Sequence, residues 1–164
     1  MKHLFLDLED TIITPVVNGW FNTHLINVEK IKKVISEFKP DALHVFSFAI
    51  WDEQQRHGFN LGTREMVERA LGMKFGLVPT VDEDIKRACC DVLNISVDCV
   101  TFNEMSDFWG KDGSFKLFIR KRFARTHEHG AETEVMLLDD AVFNEEFKFP
   151  SLKVSGTISN IDLL

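Results

Sequence analysis

Two patterns of apolar positions alternate along this chain. Short runs of consecutive apolar residues read as buried strands, and stretches whose apolar residues recur every three or four positions read as amphipathic helices. The chain opens on the first kind, with His3-Leu4-Phe5-Leu6. Residues 12–26 mix Pro15, Asn18 and Gly19 with apolar residues, which predicts a structured loop or small hairpin. Val28, Ile31, Ile35 and Phe38 then share one helical face that stops before Pro40. "ALHVFSF", residues 42–48, is a second buried strand. A helix is expected from about Thr63 to Leu71. Another follows Thr80, where "TVDE" is a capping box and Ile85, Cys89 and Val92 form a stripe. "CVTF", residues 99–102, reads as a weaker strand, and Ser114 as the cap of a helix carrying Phe115, Phe118, Ile119 and Arg122. The strand "EVMLLDD" and a last short strand near "LKV" complete the pattern.

Near-continuous apolar strands alternating with helices imply a mostly parallel sheet covered on both faces. The expected fold class is α/β, a three-layer sandwich around a Rossmann-like sheet. No repeat, low-complexity tract or Gly/Ser linker interrupts the chain, so residues 1–164 read as a single domain. In such sheets ligands collect beyond the carboxyl ends of the strands. Asp7, Glu9 and Asp10 lie at that edge after the first strand, Ser47 after the second, and Asp139-Asp140 after "VMLL".

Composition narrows the function classes. At 45% hydrophobic residues, with 15 Phe, 3 Trp and no Tyr, the chain has the make-up of a soluble folded protein. No apolar run approaches the roughly 20 residues of a membrane helix, and the charged amino terminus lacks a signal-peptide core, so no membrane partner and a cytoplasmic location are expected. Cys89, Cys90 and Cys99 are too few for a disulfide framework and read as reduced core or surface thiols. A net charge of -7 opposes nonspecific attraction to a polyanion, so nucleic acid is not the favoured partner, although the end of a nucleic acid stays open. Three acids within four positions at one strand tip repel one another unless something positive sits among them, and a metal ion is the obvious candidate.

At this point the sequence resembles the haloacid dehalogenase-like (HAD) superfamily, whose members mostly hydrolyse or transfer phosphoryl groups. Four ordered motifs carry the resemblance over almost the whole chain. They are an apolar strand with Asp7-Leu8-Glu9-Asp10-Thr11, Ser47 ending the next strand, a lysine near a helix start, and the acidic pair in "LLDDAVFN". For the lysine, Lys111 in "WGKDGSF" fits best and Lys116 is the reserve. The resemblance implies that Asp7 is a nucleophile forming an aspartyl-phosphate and that Glu9 is the general acid and base. Mg2+ would be held by Asp7, the backbone carbonyl of Glu9 and Asp140, with Asp139 and Asn144 orienting ligands. Ser47, Thr11 and Lys111 would contact the phosphoryl group. The implied function is that of a Mg2+-dependent phosphomonoester hydrolase without a large cap. Its substrate would be a small phosphate ester, a nucleotide among the candidates.

Glu9 stands where the family's phosphatases have Asp, one methylene shorter, and Asp10 where the family usually has Gly. These departures motivate an alternative, a relative that binds metal, phosphate or a partner with little or no turnover. A phosphoacceptor receiver domain would place its acidic pair after the first strand, the reverse of the order here. His127 and His129 lack the helical spacing of a zinc protease. Lys116, Arg120, Lys121, Arg122 and Arg125 read as a solvated helix face, and Trp20, Trp51 and Trp109 as buried anchors, with Trp20 also able to line a substrate entrance.

Overall fold

Alternation along the first strand sorts its side chains between two cores. Leu4 and Leu6 join a cluster with Ile31, Phe38, Val67 and Leu71, whereas Phe5 joins one with Cys89, Met105, Phe115 and Phe118. The computed structural model describes residues 1–17, 21, 23–124 and 132–164. Trp20, Arg125, His127 and His129 lie outside the described residues, so the readings made on them do too.

Among the described residues the sheet has five strands: β1 (Lys2–Leu6), β2 (Ala42–Val45), β3 (Thr133–Asp139), β4 (Glu145–Phe149) and β5 (Val154–Asn160). Their order is β2-β1-β3-β5-β4. All neighbours pair in parallel except β4 and β5, which are antiparallel. Six α-helices accompany it among the described residues: α1 (Val28–Phe38), α2 (Glu53–Asn60), α3 (Thr63–Leu71), α4 (Lys86–Leu93), α5 (Phe102–Phe108) and α6 (Gly110–Arg122). The fold class is therefore α/β with a mostly parallel sheet. The residues between β2 and α6 send Phe59, Val67 and Leu71 into one core and Ala88, Cys89 and Met105 into the other. Each such fully buried large side chain contributes about 1.5–3 kcal/mol.

Several elements differ from the sequence reading. "CVTF" is not a strand: Thr101 caps α5 by accepting a hydrogen bond from the Glu104 N–H at 3.2 Å. Ser114 is not a cap either, because α6 starts four residues earlier and buries Ser114. The strand near "LKV" is β5, seven residues long, and β4 before it was not anticipated. In β5, Gly156 lies under the Phe147 ring, where a Cβ would come within 2.1 Å of it. α2 is a further unanticipated helix, opened by a capping box on Asp52. The 12–26 segment does pair on itself, with the Ile13–Leu25 bridge antiparallel. Among the thiols, Cys89 and Cys90 are buried and Cys99 exposed, all free, and burial pushes Cys89 up to about 12.

His3 on β1 and His44 on β2 form a directed pair. The Leu77 N–H donates to His44 Nδ1 at 2.9 Å, so the His44 proton sits on Nε2, which faces His3 Nδ1 at 2.9 Å. A charged His44 would set two N–H groups against each other. Burial, with the charges of His3 and Arg122 behind it, lowers His44 from 6.5 to about 4. Because the folded value lies below the unfolded one, stability is full above about pH 6.5 and is lost as pH falls toward 4, by at most about 1.4 kcal/mol per unit. Urea unfolding at pH 7 and pH 5 should show this loss, and His44→Asn should flatten it.

Candidate functional site

Parallel register delivers the acids to one place. The Asp7 N–H donates to the Leu138 carbonyl at 3.0 Å, which carries the β1–β3 pairing to the strand tips and sets Asp7 beside Asp139 and Asp140. After Asp7 the chain folds into a tight turn. The N–H groups of Thr11, Ile12 and Ile13 converge on the Leu8 carbonyl at 3.2, 3.0 and 3.0 Å, and Asp10 takes a left-handed φ of 60°. Asparagine and aspartate tolerate that region better than other side chains. Asn27 Nδ2 donates to the Thr11 carbonyl at 3.0 Å and ties the turn to the start of α1.

The lysine arrives from a helix start. Trp109 closes α5 and Gly110, at φ 64°, opens α6, so the two helices meet at an angle that only a residue without Cβ reaches easily. Lys111 follows in the first turn. Its Nζ lies 3.0 Å from Asp7 Oδ1 and 2.8 Å from Asp139 Oδ2. The first contact is a hydrogen bond, while the second is a charge contact without hydrogen-bond alignment. The ammonium also lies 4.7 Å from the centre of the Phe48 ring. Burial pulls Lys111 down, but Asp7 and Asp139 outweigh it and hold the amine above its ordinary value, so it is charged. Lys116 goes elsewhere, pairing with Glu145 at 2.7 Å.

The second Asp7 oxygen faces the other way. Thr11 Oγ1, wholly buried, lies 3.2 Å from Asp7 Oδ2 and 3.4 Å from Asp140 Oδ1. One hydroxyl proton cannot serve both carboxylates at once. Thr11, anticipated as a substrate contact, thus has its hydroxyl on the two acids. Burial first, then the Asp7 charge, pushes Asp140 up to about 6. Burial also raises Asp139, against the pull of Lys111. Asp139 Oδ1 accepts from the Ala141 N–H at 2.8 Å.

Asp7, Asp139 and Asp140 each offer an oxygen, all within 4.8 Å of one another. Two oxygens bound to one ion at about 2.1–2.6 Å lie at most about 4–5 Å apart, so these carboxylates fit a hard cation with oxygen ligands. The unequal sharing of the Thr11 proton leaves uncompensated negative charge on the Asp7–Asp140 side, where such an ion would sit.

The remaining predicted residues lie around this centre. Glu9 and Asp10 line the same open cavity of about 440 Å3 as Asp7, Lys111, Asp139 and Asp140. Glu9 Oε2 accepts the Val16 N–H at 2.8 Å. Ser47 is buried after β2 with its Oγ accepting the Ala49 N–H at 3.2 Å, and the two residues following it, Phe48 and Ala49, line the cavity. Asn144 is not with the acids: its Oδ1 accepts the Asn160 N–H at 2.8 Å.

Sequence reasoning missed Asn160, whose Nδ2 donates to the carbonyls of Asp140 at 3.2 Å and Val142 at 2.8 Å and so fixes the loop that carries Asp140. It also missed Val16, Phe48 and Ser106, the last in the cavity wall. No local pattern marks these, because each meets the site only through the tertiary fold.

Asp140→Asn separates the charge problem from the chemistry. The folded value of Asp140, about 6, lies above the ordinary 3.8, so the metal-free fold loses stability as pH rises through the interval between those two values. Since the group is partly solvated, the variant should gain about 1 kcal/mol in metal-free urea unfolding at pH 7, about half of that at pH 5 and almost nothing at pH 3.

No protein-family model, no curated protein and no solved structure matches this chain. The geometry of the site therefore has to carry the functional argument alone.

Proposed function

We propose that this protein is a Mg2+-dependent phosphomonoester hydrolase of the haloacid dehalogenase-like kind, built as a three-layer Rossmann-like sandwich and working in the cytoplasm. The observation that carries this reading is the division of Asp7 between two surroundings. Its Oδ1 faces the Lys111 ammonium, and its Oδ2 shares the Thr11 hydroxyl with Asp140. A carboxylate so placed can meet an anionic phosphoryl group beside one fixed positive charge and one cation site.

Asp7, Asp140 and the backbone carbonyl of Glu9 would hold Mg2+, which when bound offsets the charge of the carboxylates and the incoming phosphoryl oxygens. Asp7 attacks phosphorus, and the ester oxygen leaves with a proton from Glu9. Glu9 then takes a proton from water, the water oxygen attacks phosphorus, and the P–O bond to Asp7 breaks to release phosphate. Lys111 neutralises phosphoryl oxygens throughout, with Ser47 as a neutral donor. Asp139 holds Lys111 and is fixed in turn by the Ala141 N–H.

Quenching the protein in acid during turnover of a nucleotide monophosphate with Mg2+ tests this reading. A phosphoryl group on the peptide containing Asp7 is expected; steady hydrolysis with no modified Asp7 contradicts the mechanism. One observation favours a second reading, a metal- and phosphate-binding protein without turnover: Glu9 Oε2 is held by the Val16 N–H. Glu9→Asp decides between them. A gain in hydrolysis favours the enzyme, and Mg2+ binding without any hydrolysis in either protein favours the binding role.

A further inference from the structure

Charge is distributed unevenly in the cavity above Asp7. Among the described residues five carboxylates line it, those of Asp7, Glu9, Asp10, Asp139 and Asp140, with Lys111 as the one cation. Four of the five acids have an assigned neighbour. Asp7 and Asp139 face Lys111, Asp140 faces Thr11, and Glu9 accepts the Val16 N–H. Asp10 differs. Among the described residues its carboxylate has no hydrogen bond or ion pair, and it is exposed.

The position of Asp10 is also fixed. Its N–H donates to the Ile13 carbonyl at 2.8 Å, inside the turn whose three N–H groups converge on Leu8. A free carboxylate on a rigid turn projects a constant negative field into the cavity. Among the described residues the rest of the wall, with Phe48 and Ser106 in it, supplies no positive charge to offset that field. Lys111 and the proposed cation would both be engaged by the transferred phosphoryl group, so a second anionic group on the same substrate would meet the Asp10 carboxylate without a described cation beside it. The cavity is open and Asp10 exposed, so this repulsion acts through solvent, within a screening length of about 10 Å at 0.1 M salt.

We infer that Asp10 is a specificity-determining residue that confines the site to phosphomonoesters whose remaining body is uncharged. Substrates with a second phosphate are rejected. The inference rests on the proposed hydrolase reading and extends it to the substrate's charge.

The test compares a nucleoside 5′-monophosphate with the corresponding 3′,5′-bisphosphate, which offers the same scissile group with one more anion. The ratio of their kcat/KM values is measured at low salt with Mg2+ for the wild type, Asp10→Asn, Asp10→Gly and Asp10→Glu. The wild type should prefer the monophosphate. Asp10→Asn and Asp10→Gly should each reduce that preference about tenfold, Asp10→Glu should retain it, and raised salt should narrow the wild-type ratio. Because a ratio is read, a general loss of activity or fold from changing a strained turn does not imitate the result. Hydrolysis with the same ratio in all four proteins overturns the role of Asp10 and leaves the hydrolase standing. No hydrolysis of either ester by any of them, or by Glu9→Asp, overturns the hydrolase reading and this inference together.

Discussion

Lys111→Met should lower metal-free stability by about 3–5 kcal/mol and, if the proposed hydrolase reading holds, abolish turnover. Lys111 is 13% exposed in its side chain, and the carboxylates it contacts are 8% exposed in Asp7 and 1% in Asp139. Methionine keeps the length of the chain and its packing on Phe48 but leaves two buried acids without a cation. Breaking a buried pair on one side is far more costly than the pair's own net contribution, because the surviving charge stays desolvated. The sign of the pH dependence follows. Without Lys111 the folded value of Asp139, already raised by burial, rises further above its unfolded one, so the loss is largest at pH 8 and shrinks toward pH 5 as a proton replaces the ammonium. Mg2+ should recover part of the lost stability, because a cation returns to the cluster. Urea unfolding of both proteins at the two pH values, with and without Mg2+, checks each part.

Asp7→Asn should reduce hydrolysis by about 10^4-fold or more with the fold intact. The amide is isosteric with the carboxylate, so its oxygen can still accept from Lys111 or Thr11, and repulsion with Asp140 falls. What would be lost is the proposed nucleophile, which no neighbour is placed to replace. Asp139 is bound to Lys111 and the Ala141 N–H, and Asp140 lies across Thr11. Steady-state rates with a generic phosphate ester and Mg2+ decide this, with unfolding curves to show that the variant is folded. Equal rates in the two proteins would remove Asp7 from the mechanism.

Asp7, Asp139 and Asp140 were legible in the sequence because each sits where an apolar run meets an acid, whereas Lys111 was reached only through the family resemblance. Parallel pairing then brings such ends together whatever the loops between them do. Helix α5 was misread for a physical reason. Phe102 and the β-branched Val100 and Thr101 look like strand residues, yet Thr101 with Glu104 three positions on is a helix-capping pattern, and the cap prevailed. Strand β5 was underestimated because Gly156 and its Ser and Thr neighbours dilute the apolar signal, and Phe147 on β4 supplies the missing bulk from outside. Asn144 was placed with the acids only by the family resemblance, through "LLDDAVFN". The fold gives its oxygen to the Asn160 N–H, and the Asn160 side chain then holds the Asp140 loop. Such second contacts depend on a partner sixteen residues away and leave no mark in the local pattern.

Underlying all of this is the claim that Asp7 and Asp140, with Asp139 beside them, form one site for a hard divalent cation. Calorimetric titration of the metal-free protein with Mg2+ measures it directly, beside Asp7→Asn and Asp140→Asn. One binding event in the wild type, weakened about tenfold or more in each variant, is the result predicted here. Mg2+ binding of equal strength in all three proteins, or none in the wild type, would contradict it.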